Sequence, residues 1–284
     1  MNPAEIKLAL ATLGGRPNKG LGQNFLIDKK TLEVIVETAD IKTGDLVLEI
    51  GPGLGVLTRA LLDKGAEVTA IEQDRRFVEY LEKPYRVPRT SYLKIVQGDA
   101  AIVHWHELIG ERSWKFVSNL PYSITSLALR KALWAPKPPD NLVVLVQREV
   151  GERATEVASD VAGRKKGKTS LLSLMVALSS ESARVVRRVP AGCFYPAPRV
   201  ESVILQIVPM PWVEREKKWG IHPDKIMEVA KMGFAHPRKK LASNIATIVP
   251  RTAYRVFKEL GLDENIRAED LSPEDWARLA KELL

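Results

Sequence analysis

The chain has 284 residues, 45% of them hydrophobic, and a formal net charge of +8. That length suits one large domain, alone or with a small companion, and the apolar fraction excludes wholesale disorder. A single cysteine, Cys193, excludes an intramolecular disulfide and a cysteine-rich metal site.

No apolar run approaches the length of a membrane span, and the N-terminus lacks the apolar stretch of a secretory signal, so a cytosolic protein is expected. Asp28 is placed to cap a helix that carries Leu32, Ile35, Val36 and Ala39 on one face. Apolar strand candidates then begin at Leu46 (LVLEI), Val68 (VTAIE), Leu93 (LKIVQ), Phe116 (FVSN) and Leu142 (LVVLVQ), at intervals of 22 to 26 residues. Helical patterns fall between several of them, over 56–64, stopped by Gly65, and over 123–133. Strands alternating with helices at this period predict an α/β fold with a doubly wound, mostly parallel, Rossmann-like sheet. Such sheets bind ligands beyond the carboxyl ends of their strands.

A helix over 148–157 follows, then a Gly/Lys-rich loop, GRKKGKTS (163–170), and an apolar helix, LLSLMVAL (171–178). The stretches ARVVRRV (183–189) and VESVILQIV (200–208) extend the sheet, and their short link predicts an antiparallel edge strand. The Pro-rich PMPW (209–212) marks a boundary between a domain over 1–208 and a small all-helical one over 209–284. Between residues 215 and 258 there are eleven Lys or Arg against three Asp or Glu, while the last 26 residues are acidic. A basic block of this kind suits a polyanion, although solvated helix faces give the same count.

The candidate chemistry collects at the strand ends. The first strand runs into EIGPGLGVLT (49–58), where Gly51 and Gly53 allow close approach of a ligand and a helix N-terminus follows. The spacing is not the dinucleotide fingerprint, because the third glycine comes one residue early. Glu72 ends the second strand, placed to accept from two ribose hydroxyls, and Asp99 ends the third, placed to accept from an adenine amino group. Each acid alone is an ordinary cap or turn residue. Together with the glycines they suit a nucleoside without a diphosphate, and S-adenosylmethionine is the obvious candidate.

The fourth strand runs into Asn119-Leu120-Pro121-Tyr122. Pro121 fixes its own φ and keeps Leu120 extended, so the Leu120 carbonyl and the Asn119 side-chain oxygen offer two acceptors for the two hydrogens of an exocyclic amine. Holding both hydrogens turns the nitrogen lone pair toward an electrophile. Tyr122 offers a face on which a base can stack, worth roughly 1–3 kcal/mol.

These strings, with LGQNFLID (21–28), VQREVGER (146–153), FYPAPRVESV (194–203) and IRAEDLSPEDW (266–276), resemble the small-subunit ribosomal RNA adenine N6-dimethyltransferases of the KsgA type over nearly the whole chain. The resemblance implies two methyl transfers to N6 of each of two adjacent adenines in a loop of the small subunit's RNA or its precursor. It implies that Asn24 and Leu26 close over the cofactor, that Gly51 meets its methionine part, and that Phe194 sandwiches the flipped adenine against Tyr122. Backbone phosphates would meet Lys165, Lys166, Lys168, Arg238, Lys239 and Lys240. Two departures stand out: GKTSLLSL (167–174) where the family often has Tyr-Gly-x-Leu-Ser, and HPRKKLASN (236–244) where it has an Arg-Arg-Lys cluster. His104, His106, His222 and His236 show no metal-like spacing, so they are expected at the surface and no metal is expected. Nothing calls for an obligate protein partner, and a monomer is expected. The rivals are a macrolide-resistance methyltransferase acting on large-subunit RNA and a non-catalytic assembly or transcription factor on the same fold. The glycine spacing speaks against a nicotinamide oxidoreductase.

Overall fold

A seven-stranded sheet organises the first part of the computed structural model, which describes residues 1–15, 17–18, 22–83, 92–156, 167–246 and 250–284. Its strands are β2 (Leu46–Ile50), β3 (Glu67–Glu72), β4 (Leu93–Gln97), β5 (Trp114–Asn119), β6 (Asn141–Gln147), β7 (Ser180–Val189) and β9 (Ser202–Pro209), in the spatial order β4-β3-β2-β5-β6-β9-β7. The pairs β4–β3, β3–β2, β2–β5 and β5–β6 are parallel, and β9 runs antiparallel to β6. β2 and the centre of β6 are buried along their whole length, as strands covered on both faces must be. A second, two-residue pairing joins β1 (Phe25–Leu26) to β8 (Phe194–Tyr195).

The helices follow the sequence signals. α2 (Lys29–Ala39) starts where the Asp28 carboxylate accepts the Thr31 N–H, and α3 (Val56–Asp63) ends just before Gly65. Ile35, Val36 and Ala39 of α2 and Leu57 and Leu61 of α3 pack with Val47, Val68, Val117 and Val143 of the sheet. Each of these side chains larger than alanine contributes about 1.5–3 kcal/mol on burial. The sequence pattern did not single out α1 (Pro3–Thr12), started by a capping box between Asn2 and Glu5. It packs Ile6, Ala9 and Leu10 against Phe25, Leu54 and, from α4 (Arg75–Leu81), Phe77 and Leu81. Between β4 and β5 lies α5 (Trp105–Ile109), and between β5 and β6 lies α6 (Thr125–Leu133), entered through one 3₁₀ turn at 122–124. The helix after β6, α7, spans Arg148–Thr155.

The chain divides into two compact units, residues 1–151 with 184–209 and residues 152–183 with 210–284. Residues 152–183, which the expected boundary assigns to the first domain, therefore group with the helical unit. The reason is α8 (Leu171–Ser179), almost wholly apolar, which packs on α10 (Pro223–Gly233) and α13 (Pro273–Leu283). α9 (Trp212–Trp219), α11 (Leu241–Ala246) and α12 (Pro250–Glu259) complete the second unit, around a buried Trp276 stacked on Phe234. Among the described residues, no helix is long and apolar enough to cross a membrane.

Candidate active site

The carboxyl ends of β2, β3, β4 and β5 surround a cavity of about 330 Å³ in the first unit. Its walls include Asn24, Leu26, Gly51, Gly53, Glu72, Asp99, Asn119, Leu120, Pro121 and Tyr122, so ten residues named from sequence meet around one space.

The glycines are required by geometry. Gly51 has φ +67°, and a Cβ there would lie 3.3 Å from Pro121 Cγ, so the turn after β2 and the turn after β5 touch where a side chain would separate them. Ser118 reinforces that contact by donating to the Ile50 carbonyl at 2.7 Å. The Gly53 N–H donates to the Glu72 carboxylate at 3.0 Å, and the Asp74 N–H donates to its other oxygen at 2.8 Å. Burial nonetheless pushes the Glu72 carboxyl above its ordinary value, those peptide hydrogen bonds acting in the opposite direction. Asp99 heads a tight turn in which its side chain accepts the Ala101 N–H at 2.8 Å and its carbonyl accepts from Ile102 and Val103, both at 2.9 Å.

On the opposite wall, Asn119 ends β5 half-buried, and its Nδ2 donates to the Asn24 carbonyl at 3.2 Å. That bond orients the amide and leaves Oδ1 as the acceptor end. Leu120 is buried and its N–H donates to the Leu145 carbonyl at 3.2 Å, while Pro121 (φ −56°, ψ 127°) turns the chain into the 3₁₀ turn. The Tyr122 hydroxyl hydrogen-bonds Ser202 Oγ at 2.7 Å, and burial raises its pKa, so the phenol stays neutral.

Sequence reasoning missed three residues here. Gln23 donates to Asp74 at 2.9 Å and so fastens the N-terminal segment to the loop after β3, where an Asp74–Arg76 ion pair anchors it. Glu49 lines the cavity and accepts from Thr58 Oγ1 at 2.7 Å. Its burial pushes the carboxyl up to about 8. Ser202, within FYPAPRVESV, is the link between that stretch and Tyr122. The adjacent letters gave the signal, but the partner lies 80 residues away.

Phe194 takes a different position from the one its motif suggests. It is 3% exposed, pairs with Leu26 through β1 and β8, and belongs to the core rather than the cavity wall. A base would stack on this ring only once it is uncovered. Among the basic residues, Arg238, Lys239 and Lys240 are exposed between α10 and α11, and Lys168 is paired with Glu269 in the same unit. Lys165 and Lys166 lie outside the described residues. All four histidines are exposed, and among the described residues no cluster of His, Cys, Asp and Glu is arranged to hold a metal.

Comparison with known proteins agrees with this constellation. A family model described as ribosomal RNA adenine dimethylase matches residues 15–284. A ribosomal RNA small subunit methyltransferase A from Dehalococcoides mccartyi is 35% identical over 94% of this chain and 88% of its own length. One of the same name from Alkaliphilus metalliredigens is 32% identical over 100% and 97%. Among solved structures, the 23S rRNA methyltransferase ErmE superposes with TM-score 0.65 at 25% identity, covering 92% of this chain and 99% of its own. A dimethyladenosine transferase from Plasmodium falciparum shares the fold, with TM-score 0.69 at 22% identity over 90% of this chain and 95% of its own.

Proposed function

Since the chain belongs to the ribosomal RNA adenine dimethylase family, we propose that it transfers methyl groups from S-adenosylmethionine to N6 of two adjacent adenines in a small-subunit RNA loop, giving N6,N6-dimethyladenosine. The observation that carries the reading is the single cavity in which Asn119-Leu120-Pro121-Tyr122 faces Gly51, Glu72 and Asp99.

The residues present fit the methyl donor. Gly51 lines the cavity with bare backbone, Glu72 retains acceptor capacity for two ribose hydroxyls, and Asp99 stands at the neighbouring strand end for the adenine amino group. When bound, S-adenosylmethionine supplies an electrophilic methyl on a sulfonium. Asn119 Oδ1 and the Leu120 carbonyl accept the two N6 hydrogens and present the nitrogen lone pair to that methyl. Gly51, Glu72 and Asp99 would hold the donor, which would supply the methyl and keep the sulfur's electron pair, and the alkylated nitrogen would lose its proton to water. Alignment supplies the rate, and no histidine lines the cavity to act as base. Tyr122, with its hydroxyl held by Ser202, supplies the stacking face for an adenine drawn out of an RNA loop. Phe194 supports the wall behind Leu26 instead of offering a second face. Arg238, Lys239 and Lys240 meet backbone phosphates, and so do Lys165 and Lys166, whereas Lys168 must first leave Glu269. An enzyme of this activity would meet its RNA in the cytoplasm, and the proposed reaction calls for no second copy of the chain.

The test is Asn119→Ala with purified small-subunit particles and methyl-labelled cofactor. We expect methylation to fall about a hundredfold or more, the scale of losing one positioned polar group. Near wild-type methylation overturns the role of Asn119. The likeness to ErmE makes large-subunit RNA the rival substrate. Offering both subunits and mapping the modified bases by mass decides between them.

A further inference from the structure

We propose that Lys131 is a positioning residue that holds the adenine-recognising turn after β4 in its binding shape before any ligand arrives. The inference deepens the function proposed above and rests on it. Lys131 lies in the last turn of α6, and its ammonium reaches three carbonyls of the neighbouring turn: Ala100 at 2.9 Å, Ala101 at 3.1 Å and Val103 at 2.7 Å. Three donors thus meet three acceptors, which is the full hydrogen-bonding capacity of the group. The indole of Trp105 closes the arrangement, its ring centroid 5.0 Å from the ammonium and its Nε1 donating to the same Ala100 carbonyl at 2.9 Å.

The turn has little else to fix it on that side. Its outer side chain is Ile102, an apolar residue left 76% exposed, and of the turn's own side chains only that of Ala100 is buried, so side-chain burial holds it weakly. Converging carbonyls also repel one another unless a cation sits among them. The residue that this turn presents is Asp99, whose carboxylate accepts the Ala101 N–H and whose carbonyl accepts those of Ile102 and Val103, so moving Ala101 to Val103 moves Asp99 with them. Burial lowers the Lys131 pKa and the charge of Asp99 works against that shift, which puts the two groups within electrostatic reach. α6 is also the helix that the Tyr122 turn leads into. One ammonium therefore ties the proposed adenine acid of the methyl donor to the helix behind the target-base motif.

The experiment compares wild type, Lys131→Met and Lys131→Arg. S-adenosylhomocysteine affinity is measured by calorimetry, small-subunit particle affinity by filter binding, and hydrogen exchange at residues 101–103 in unliganded protein. We expect Lys131→Met to weaken S-adenosylhomocysteine at least tenfold, to leave particle affinity within twofold and to speed exchange at 101–103, with Lys131→Arg recovering most of the affinity. A merely structural role would lower both affinities together. Unchanged S-adenosylhomocysteine affinity, or unchanged exchange at 101–103, in Lys131→Met overturns the proposal. Should that variant not fold, unprotected amides at 101–103 in unliganded wild type overturn it equally. A wild-type protein that fails to bind S-adenosylhomocysteine sinks the functional reading instead, while exchange at 101–103 still reports on Lys131.

Discussion

Replacing Glu49 by Gln should flatten the pH dependence of stability. Glu49 is 2% exposed and accepts a hydrogen bond from Thr58, and its carboxyl is pushed by burial from an ordinary 4.5 to about 8. Between those values the folded protein holds a proton at this site that the unfolded chain has released. The folded pKa is the raised one, so the stabilising contribution is complete below about pH 4.5 and is lost as pH rises through about 8. Within the window each pH unit removes about 1.4 kcal/mol, and the whole crossing removes on the order of 5 kcal/mol. Glutamine keeps the shape and an acceptor for Thr58 but has no proton to lose. Urea unfolding of both proteins from about pH 5 to about pH 9 isolates the site, because titrating groups other than Glu72, which feels the Glu49 charge, contribute equally to both curves. The advantage of Glu49→Gln should grow steadily with pH and level off above about 8. Parallel curves would refute the reasoning and show that water or another donor reaches the carboxylate.

Gly51→Ala forces a side chain into a left-handed backbone and against Pro121 at 3.3 Å. It should cost about 1–2 kcal/mol from the backbone alone and lower methyl transfer at least tenfold, and wild-type turnover in this variant would contradict the close approach. Ser202→Ala removes the partner of the Tyr122 hydroxyl, so thermal unfolding should report a loss of about 1–3 kcal/mol, and Tyr122→Phe in the same background should recover part of it. Arg238→Glu with Lys239→Glu should weaken particle binding and flatten its salt dependence. Salt titration by filter binding checks this, and an unchanged slope removes the second unit from the RNA contact.

The sheet was legible because five apolar runs recur at one period, and a parallel strand buried on both faces leaves no other pattern. The acids and the tetrapeptide could be assigned because each sits where such a strand ends. What stayed hidden depends on partners distant in sequence or on segments too short for a period. β1 and β8 hold two residues each, and no alternation can be read from two. Phe194 before a proline turn reads alike as a stacking ring or a core ring, and only its burial separates the two. Gln23 and Ser202 carry bonds that span 51 and 80 residues, which no local pattern records. α8 is apolar enough for either unit, and its packing on α10 and α13 decided the matter.

The reversal of strand order at β2 has a further meaning. The arm β2-β3-β4 carries the groups proposed for the methyl source, whereas β5 on the other flank carries the groups proposed for its recipient. The two flanks are tied by Ser118 to the Ile50 carbonyl and by Lys131 to the turn after β4, while Asn119 holds the Asn24 backbone of the N-terminal segment. A lineage, or an engineer, can thus rework the segment after β5 to accept a different nucleotide only by keeping Lys131 and Pro121, through which that segment shapes the fuelling arm.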